Sequence, residues 1–401
     1  MSGRRIALAV TAVTALGICS LALAGGGSSL QYANGIIDGD GEADLLDGTD
    51  DVAISRDGKH VYVTAGSDNA ISVFRRNARN QKLSFVQDIA DDTGEITGLG
   101  GAEDVAVSPD GRYVYVTGYS DDALVIFKRN RRSGKLRFAS EKLNLQGDND
   151  VMNGPTGVSV SPDNDFVYVT ADDNDAESIT WFERRRSGNH PFAGNLSNGQ
   201  RGITDMVAPW GTDLTSDGRL LYVASTEDDS ADPGSGAVIV FNRNVRTGKL
   251  RFLQSVADTD DPGNPLEYAF VPDVSPDDRH LYVAATDDDA IVVFKIKRSG
   301  RIRQIQAKVN GGSGGDLLDD PYDVVVTPDG RSVYTSGYTD HAVVTFKRNR
   351  RTGKLSLDQE IADGDGDADE IAGVWRVAAD NNGAFFAAYD EPGVAGFERR
   401  R

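Results

Sequence analysis

Short apolar runs alternate with clusters of glycine, aspartate, asparagine and basic residues along almost the whole chain, and the alternation is periodic. It is clearest at Ala106-Val107-Ser108-Pro109-Asp110-Gly111-Arg112-Tyr113-Val114-Tyr115-Val116-Thr117, followed by Ser120-Asp121-Asp122-Ala123-Leu124-Val125-Ile126-Phe127. The turn marker recurs at Asp57-Gly58, Asp110-Gly111, Asp163-Asn164, Asp217-Gly218, Asp277-Asp278, Asp329-Gly330 and Asn382-Gly383. Successive markers lie about 53 residues apart, with one step of about 60 caused by extra residues between Thr226 and Gly236. Within a unit, Val105 to Ser108 reads as an inner strand and Ser108-Pro109-Asp110-Gly111 as a type I turn. Tyr113 to Thr117 and Ala123 to Lys128, rich in β-branched and aromatic residues, read as the second and third strands. Leu136 to Phe138 begins the outer strand after a turn at Arg132-Ser133-Gly134-Lys135. Seven units of four short strands predict an all-β, seven-bladed β-propeller.

The two ends complement each other. The last unit stops after a third strand, at Val394-Ala395-Gly396-Phe397 and three arginines. The missing fourth strand stands at the start: Leu30-Gln31-Tyr32 with Ile36-Ile37-Asp38-Gly39-Asp40 matches Leu355-Ser356-Leu357 with Ile361-Ala362-Asp363-Gly364-Asp365. The N-terminal strand is therefore expected to complete the last blade and leave no open sheet edge. This makes 30–401 one propeller, preceded by a short linker at 25–29 and a leader at 1–24. The third-strand aromatics Phe74, Phe127, Phe182, Phe241, Phe294, Phe346 and Phe397 are expected to pack between blades.

Arg4-Arg5, the apolar stretch Ile6 to Ala24 and the small residues Ala22-Leu23-Ala24 before Gly25 read as an export signal, cleaved or retained as an anchor. The protein is expected in the periplasm or outside the cell, touching a membrane only through an uncleaved signal. Cys19 is the single cysteine, so the ring carries no disulfide. The formal net charge of −20 is unevenly spread. Turns between third and fourth strands are basic, such as Arg75-Arg76 and Lys128-Arg129-Asn130-Arg131-Arg132. Loops on the opposite face are acidic, such as Asp121-Asp122 and Asp287-Asp288-Asp289. Two charged faces would steer charged partners, unless the charges are simply solvated.

Chemistry is expected at two places. Two blade connections, Asp38-Gly39-Asp40-Gly41-Glu42-Ala43-Asp44 and Asp363-Gly364-Asp365-Gly366-Asp367-Ala368-Asp369, space carboxylates as the first half of a calcium loop does. Neither ends in the glutamate such a loop needs, so calcium and a plain acidic turn both remain open; no other cofactor is expected. The second place is the mouth of the central channel. One row of residues preceding the inner strands reads Asp50, Glu103, Thr156, Trp210, Phe270, Tyr322 and Trp375; the next reads Asp51, Asp104, Gly157, Gly211, Val271, Asp323 and Arg376. Here the repeat stops repeating, which marks either relaxed constraint or an asymmetric pocket; the carboxylates, lone arginine and aromatic walls would suit a small polar ligand. Glu103, Asp104, Asp323 and Arg376 are the candidate catalytic residues; Asp51, Trp210, Tyr322, Trp375 and His341 are the candidate ligand contacts. His60 and His280, just after turns, read as surface residues. No Ser/His/Asp or zinc-type set is present, and no nucleic-acid motif.

The phrase Ser-Pro-Asp-Gly-Arg-Tyr-Val-Tyr-Val-Thr at 108–117, followed by Phe127-Lys128-Arg129-Asn130 and Gly134-Lys135-Leu136, resembles the lactonase-type seven-bladed propellers. That family includes 6-phosphogluconolactonases and carboxymuconate cyclases and grades into YVTN-repeat surface proteins. The resemblance implies a site of histidine, arginine and glutamate at the channel mouth. Arg376 and Glu103 match two of these; no channel-mouth histidine stands in this sequence. Two functions follow: an exported, monomeric module that binds a small polar ligand or an extracellular partner through its acidic face, or a lactone hydrolase or cyclase.

Overall fold

The computed structural model describes residues 29–144, 151–172, 177–227, 236–258, 265–312, 314–368 and 370–400. The leader, Cys19 and Asp369 lie outside the described residues. Within them are 28 strands and no helix, arranged as seven four-stranded antiparallel sheets. The inner strands are Thr49–Ile54, Ala102–Val107, Pro155–Val160, Val207–Leu214, Ala269–Val274, Val324–Val326 and Val374–Ala379, for blades one to seven. Each runs from the blade connections toward the Asp-Gly turns, so the residues that open it stand at the channel mouth.

The seventh blade closes as expected. Ser29–Ile37 pairs with Gly393–Arg400, from Ser29 opposite Arg400 to Ile37 opposite Gly393. The Gln359 side chain grips Leu30 at both its N–H (2.9 Å) and its carbonyl (3.1 Å). Gln87 grips Leu136 and Gln306 grips Leu355 in the same way, so the N-terminal strand is held as any outer strand is. The seven third-strand phenylalanines are buried, and the apolar clusters straddle neighbouring blades: Val61, Val63 and Phe74 of blade one pack with Phe385, Ala387 and Val394 of blade seven. Burial at roughly 25 cal/mol per Å² of apolar surface supplies most of the cohesion between blades.

The basic turns differ from the expectation of solvated charge. Arg243 is buried; its guanidinium binds both oxygens of Asp163 in the preceding blade (2.9 and 3.1 Å) and donates to the Gly218 carbonyl, while Nε donates to the Tyr168 hydroxyl (2.6 Å). That hydroxyl donates in turn to the Gly248 carbonyl. The same arginine–aspartate pair joins Arg76–Asp380, Arg129–Asp57, Arg184–Asp110, Arg348–Asp277 and Arg399–Asp329, and the tyrosine link recurs at Arg129–Tyr62 and Arg348–Tyr282. At the one remaining seam the arginine position is Ile296, which packs with Leu220 and Leu253. At the closing seam Phe385 stands where the tyrosine would and lacks a hydroxyl; Arg76 lies over its ring at 5.3 Å, and Gln81 Oε1 accepts from Arg76 Nε instead (2.7 Å).

His60 and His280 are likewise not surface residues. Both are buried, and each Nδ1 faces an arginine of the next blade, Arg129 at 2.8 Å and Arg348 at 3.0 Å. Burial, then the neighbouring arginine, pushes both imidazoles down to about 4. Gly134 and Gly353 lie over these rings at φ near 80°; a Cβ there would come within 2.2 Å of the imidazole.

Candidate functional site

The channel mouth divides the candidate residues into two groups. In the first, carboxylates sew one blade to the next. Asp51 accepts the Val105 N–H (3.0 Å), Asp104 the Val158 N–H (2.7 Å) and Asp323 the Val377 N–H (2.8 Å). Two further carboxylates do the same one pleat deeper: Asp213 takes the Val274 N–H and Asp273 the Val326 N–H. The sequence rows pass over these two, because they place Gly211 and Val271 at the mouth. An aspartate inside the apolar strands Val207–Leu214 and Ala269–Val274 is the signal that marks them.

In the second group the side chains have no such duty. The Glu103 carboxylate and the Arg376 guanidinium make no hydrogen bond to any described residue. Arg376 is buried, lies over the Phe270 ring at 5.2 Å, and interacts through space with Asp51, Asp323, Asp104 and Glu103. Burial pushes Glu103 up to about 7; the Arg376 charge opposes the shift and Asp51 adds to it. Asp50, which accepts the Gly66 N–H, is pushed up to about 8 by burial and then by the Glu103 charge. Titratable groups moved into the neutral range within one cleft are what acid–base chemistry requires.

The opposite wall is aromatic. Tyr322 stacks on Trp375 at 3.9 Å, and Phe270 lies 4.7 Å from Trp210 and 5.0 Å from Tyr322, with Tyr338 edge-on to both Tyr322 and Trp375. The mouth thus has Asp50, Asp51, Glu103 and Asp104 on blades one and two, and rings on blades four to seven with Asp213, Asp273 and Asp323 beside them. His341 stands at its rim, where Nδ1 accepts the Gly373 N–H (2.7 Å). Asn69, Asp122 and Asp289 hold the same place in other blades, share its positive φ near 50°, and accept an N–H of the following blade connection.

The two acidic connections have a structural duty of their own. Asp38 Oδ1 accepts the N–H of Leu46, eight residues on, and Asp363 Oδ1 accepts that of Ile371. Asp91, Asn144, Asn198, Asp258 and Asn310 cap their own connections at the same spacing. Because a neutral amide serves in three of seven, this position needs an acceptor and not a charge. Asp40, Glu42, Asp44, Asp365 and Asp367 are exposed, and among the described residues their oxygens gather into no group of three or more. The carboxylates that do converge among the described residues are Asp289, Asp319 and Asp320, elsewhere on this face.

With this geometry in place, the comparisons with known proteins decide the family. The model of the lactonase, 7-bladed beta-propeller family matches residues 37–152, 143–265 and 273–366. This chain belongs to that family. A 6-phosphogluconolactonase of Formosa agariphila is 22% identical over 361 residues, covering 80% of this chain and 89% of the relative. Among solved structures, a putative 6-phosphogluconolactonase from Bacteroides uniformis superposes with a TM-score of 0.61 at 19% identity, covering 78% of this chain and 84% of the other. The periplasmic gluconolactonase of Pseudomonas aeruginosa gives 0.60 at 19% identity, covering 79% and 86%. At these identities the structural likeness is one of fold.

Proposed function

We propose that this lactonase-family propeller hydrolyses a lactone at its channel mouth, with Glu103 as general base and Arg376 as the oxyanion partner. The observation that carries the reading is that these two side chains alone among the candidate catalytic residues are free of backbone duty, while Asp104 and Asp323 are spent on it. Glu103 takes a proton from water as the water oxygen bonds to the lactone carbonyl carbon. The carbonyl π pair moves onto its oxygen, where Arg376 balances the charge. Collapse restores the carbonyl and breaks the ring C–O bond. The departing alkoxide takes up a proton from the acid side of the mouth, Asp50 or protonated Glu103, and a hydroxy acid leaves. Asp50, pushed up to about 8, holds a proton at neutral pH.

The family, its 6-phosphogluconolactonase relative and its gluconolactonase neighbour support hydrolysis over a purely binding role. The leader pattern supports an exported setting, which N-terminal sequencing of the mature protein tests. For the activity, proton release is followed over a panel of lactones, with calcium and with chelator. Turnover that falls about 100-fold or more in Arg376→Ala, in a protein that still melts cooperatively, supports the reading. A folded ring that opens no lactone in either condition returns the protein to the binding-module reading.

A further inference from the structure

We infer that the substrate is an uncharged, polyhydroxylated lactone and that a phosphorylated one is turned away from this mouth; the inference rests on the hydrolytic reading above. The seven inner strands, with the residues that open them, contribute Asp50, Asp51, Glu103, Asp104, Asp213, Asp273 and Asp323, against the single cation Arg376. They contain no lysine and no histidine. A phosphate group offers acceptor oxygens and a double negative charge, and proteins meet it with clustered cationic donors. Arg376 already faces Asp51, Asp323, Asp104 and Glu103. The six clasp arginines are turned to the other end of the ring and are committed to carboxylates there.

What this mouth offers a ligand is carboxyls, densest on blades one and two, and a wall of rings on blades four to seven. Ionised carboxylates accept hydrogen bonds, and a protonated one such as Asp50 both accepts and donates. Together they suit a ligand bearing several hydroxyl groups, which also do both. The half-buried faces of Trp210, Tyr322 and Trp375 suit the apolar C–H face of a saturated ring. A sugar lactone has both features on one small ring. The carboxyls also crowd one another: Asp51 raises Asp104, Asp213 raises Asp273, and Glu103 raises Asp50, each after burial. A dianion entering this space would add to a repulsion the acids already feel.

The test has a turnover arm and a binding arm, both on the full chain. Hydrolysis is compared for D-glucono-δ-lactone, its 6-phosphate and the hydroxyl-free δ-valerolactone. Binding of 1,5-anhydroglucitol and its 6-phosphate, neither of which can be hydrolysed, is followed by tryptophan fluorescence. The expected result is a kcat/KM for gluconolactone at least 100-fold above that for its 6-phosphate and at least 10-fold above that for valerolactone, with fluorescence responding to anhydroglucitol alone. Equal or better turnover of the 6-phosphate overturns the substrate class and leaves the hydrolytic reading standing. Response to anhydroglucitol alone, with no lactone opened, supports the ligand class and overturns hydrolysis. Silence in both arms overturns both.

Discussion

Replacing Glu103 by glutamine is expected to make the protein less active and more stable. Glu103 is moved from an ordinary 4.5 to about 7, first by burial. Holding it ionised in the folded state therefore costs on the order of 3 kcal/mol, at about 1.4 kcal/mol for each tenfold change. The sign follows from linkage. Between about 4.5 and 7 the folded state keeps a proton that the unfolded chain has released, so stability falls as pH rises through that window. The amide in E103Q removes this slope. At pH 8 the variant should gain roughly 1–3 kcal/mol, or about 1–4 °C in Tm for a ring of this size, after the amide's own burial cost is deducted. At pH 4 the two proteins should melt together. Lactone turnover should meanwhile drop about 10²–10⁴-fold, the usual worth of a general base. Calorimetry at both pH values and a proton-release assay measure the two effects. A variant that melts lower than the parent at pH 8 refutes the reasoning, because Glu103 would then be a structural carboxylate like its neighbours.

Asp104→Ala is the converse case: it strands the Val158 N–H and should cost about 1–3 kcal/mol at neutral pH, read as a lower denaturant midpoint with an unchanged slope. Arg243→Ala leaves Asp163 and Tyr168 without their shared donor and should cost about 3–5 kcal/mol, whereas Arg219→Ala, exposed and 3.8 Å from Asp217, should change the melting temperature little. Asp38→Asn should be tolerated in thermal melts within about 0.5 kcal/mol, since Asn144, Asn198 and Asn310 make the same cap.

Much of this molecule is legible in the chain because a period of two in apolar residues, punctuated by Asp-Gly turns, leaves few alternatives to stacked short strands. The closing strand is legible too, since the first strand repeats the outer-strand words of blade six. What escapes is contact between blades. His60 looks exposed beside its turn, yet Arg129, 69 residues away, and Gly134 of the next blade cover it. In Phe74-Arg75-Arg76 the strand alternation buries Arg76 and exposes Arg75, a signal that the run of positive charge hides. At the mouth, the rows bring together Glu103, Arg376 and the rings, but they do not separate free carboxylates from those that accept a backbone N–H of the next blade. Local spacing is the same for both kinds. The difference lies in where a neighbouring strand ends.

The most direct measurement is the pH dependence of kcat/KM for lactone hydrolysis in the parent and in Arg376→Gln, corrected for hydroxide-driven opening. The parent should gain activity as pH rises through about 7, the range to which Glu103 is pushed. Because the Arg376 charge holds that carboxyl down, its removal should lower the plateau and move the rising limb to higher pH. A limb that stays in place when the guanidinium is gone, or a rate without any limb in this range, contradicts a Glu103–Arg376 centre at the channel mouth.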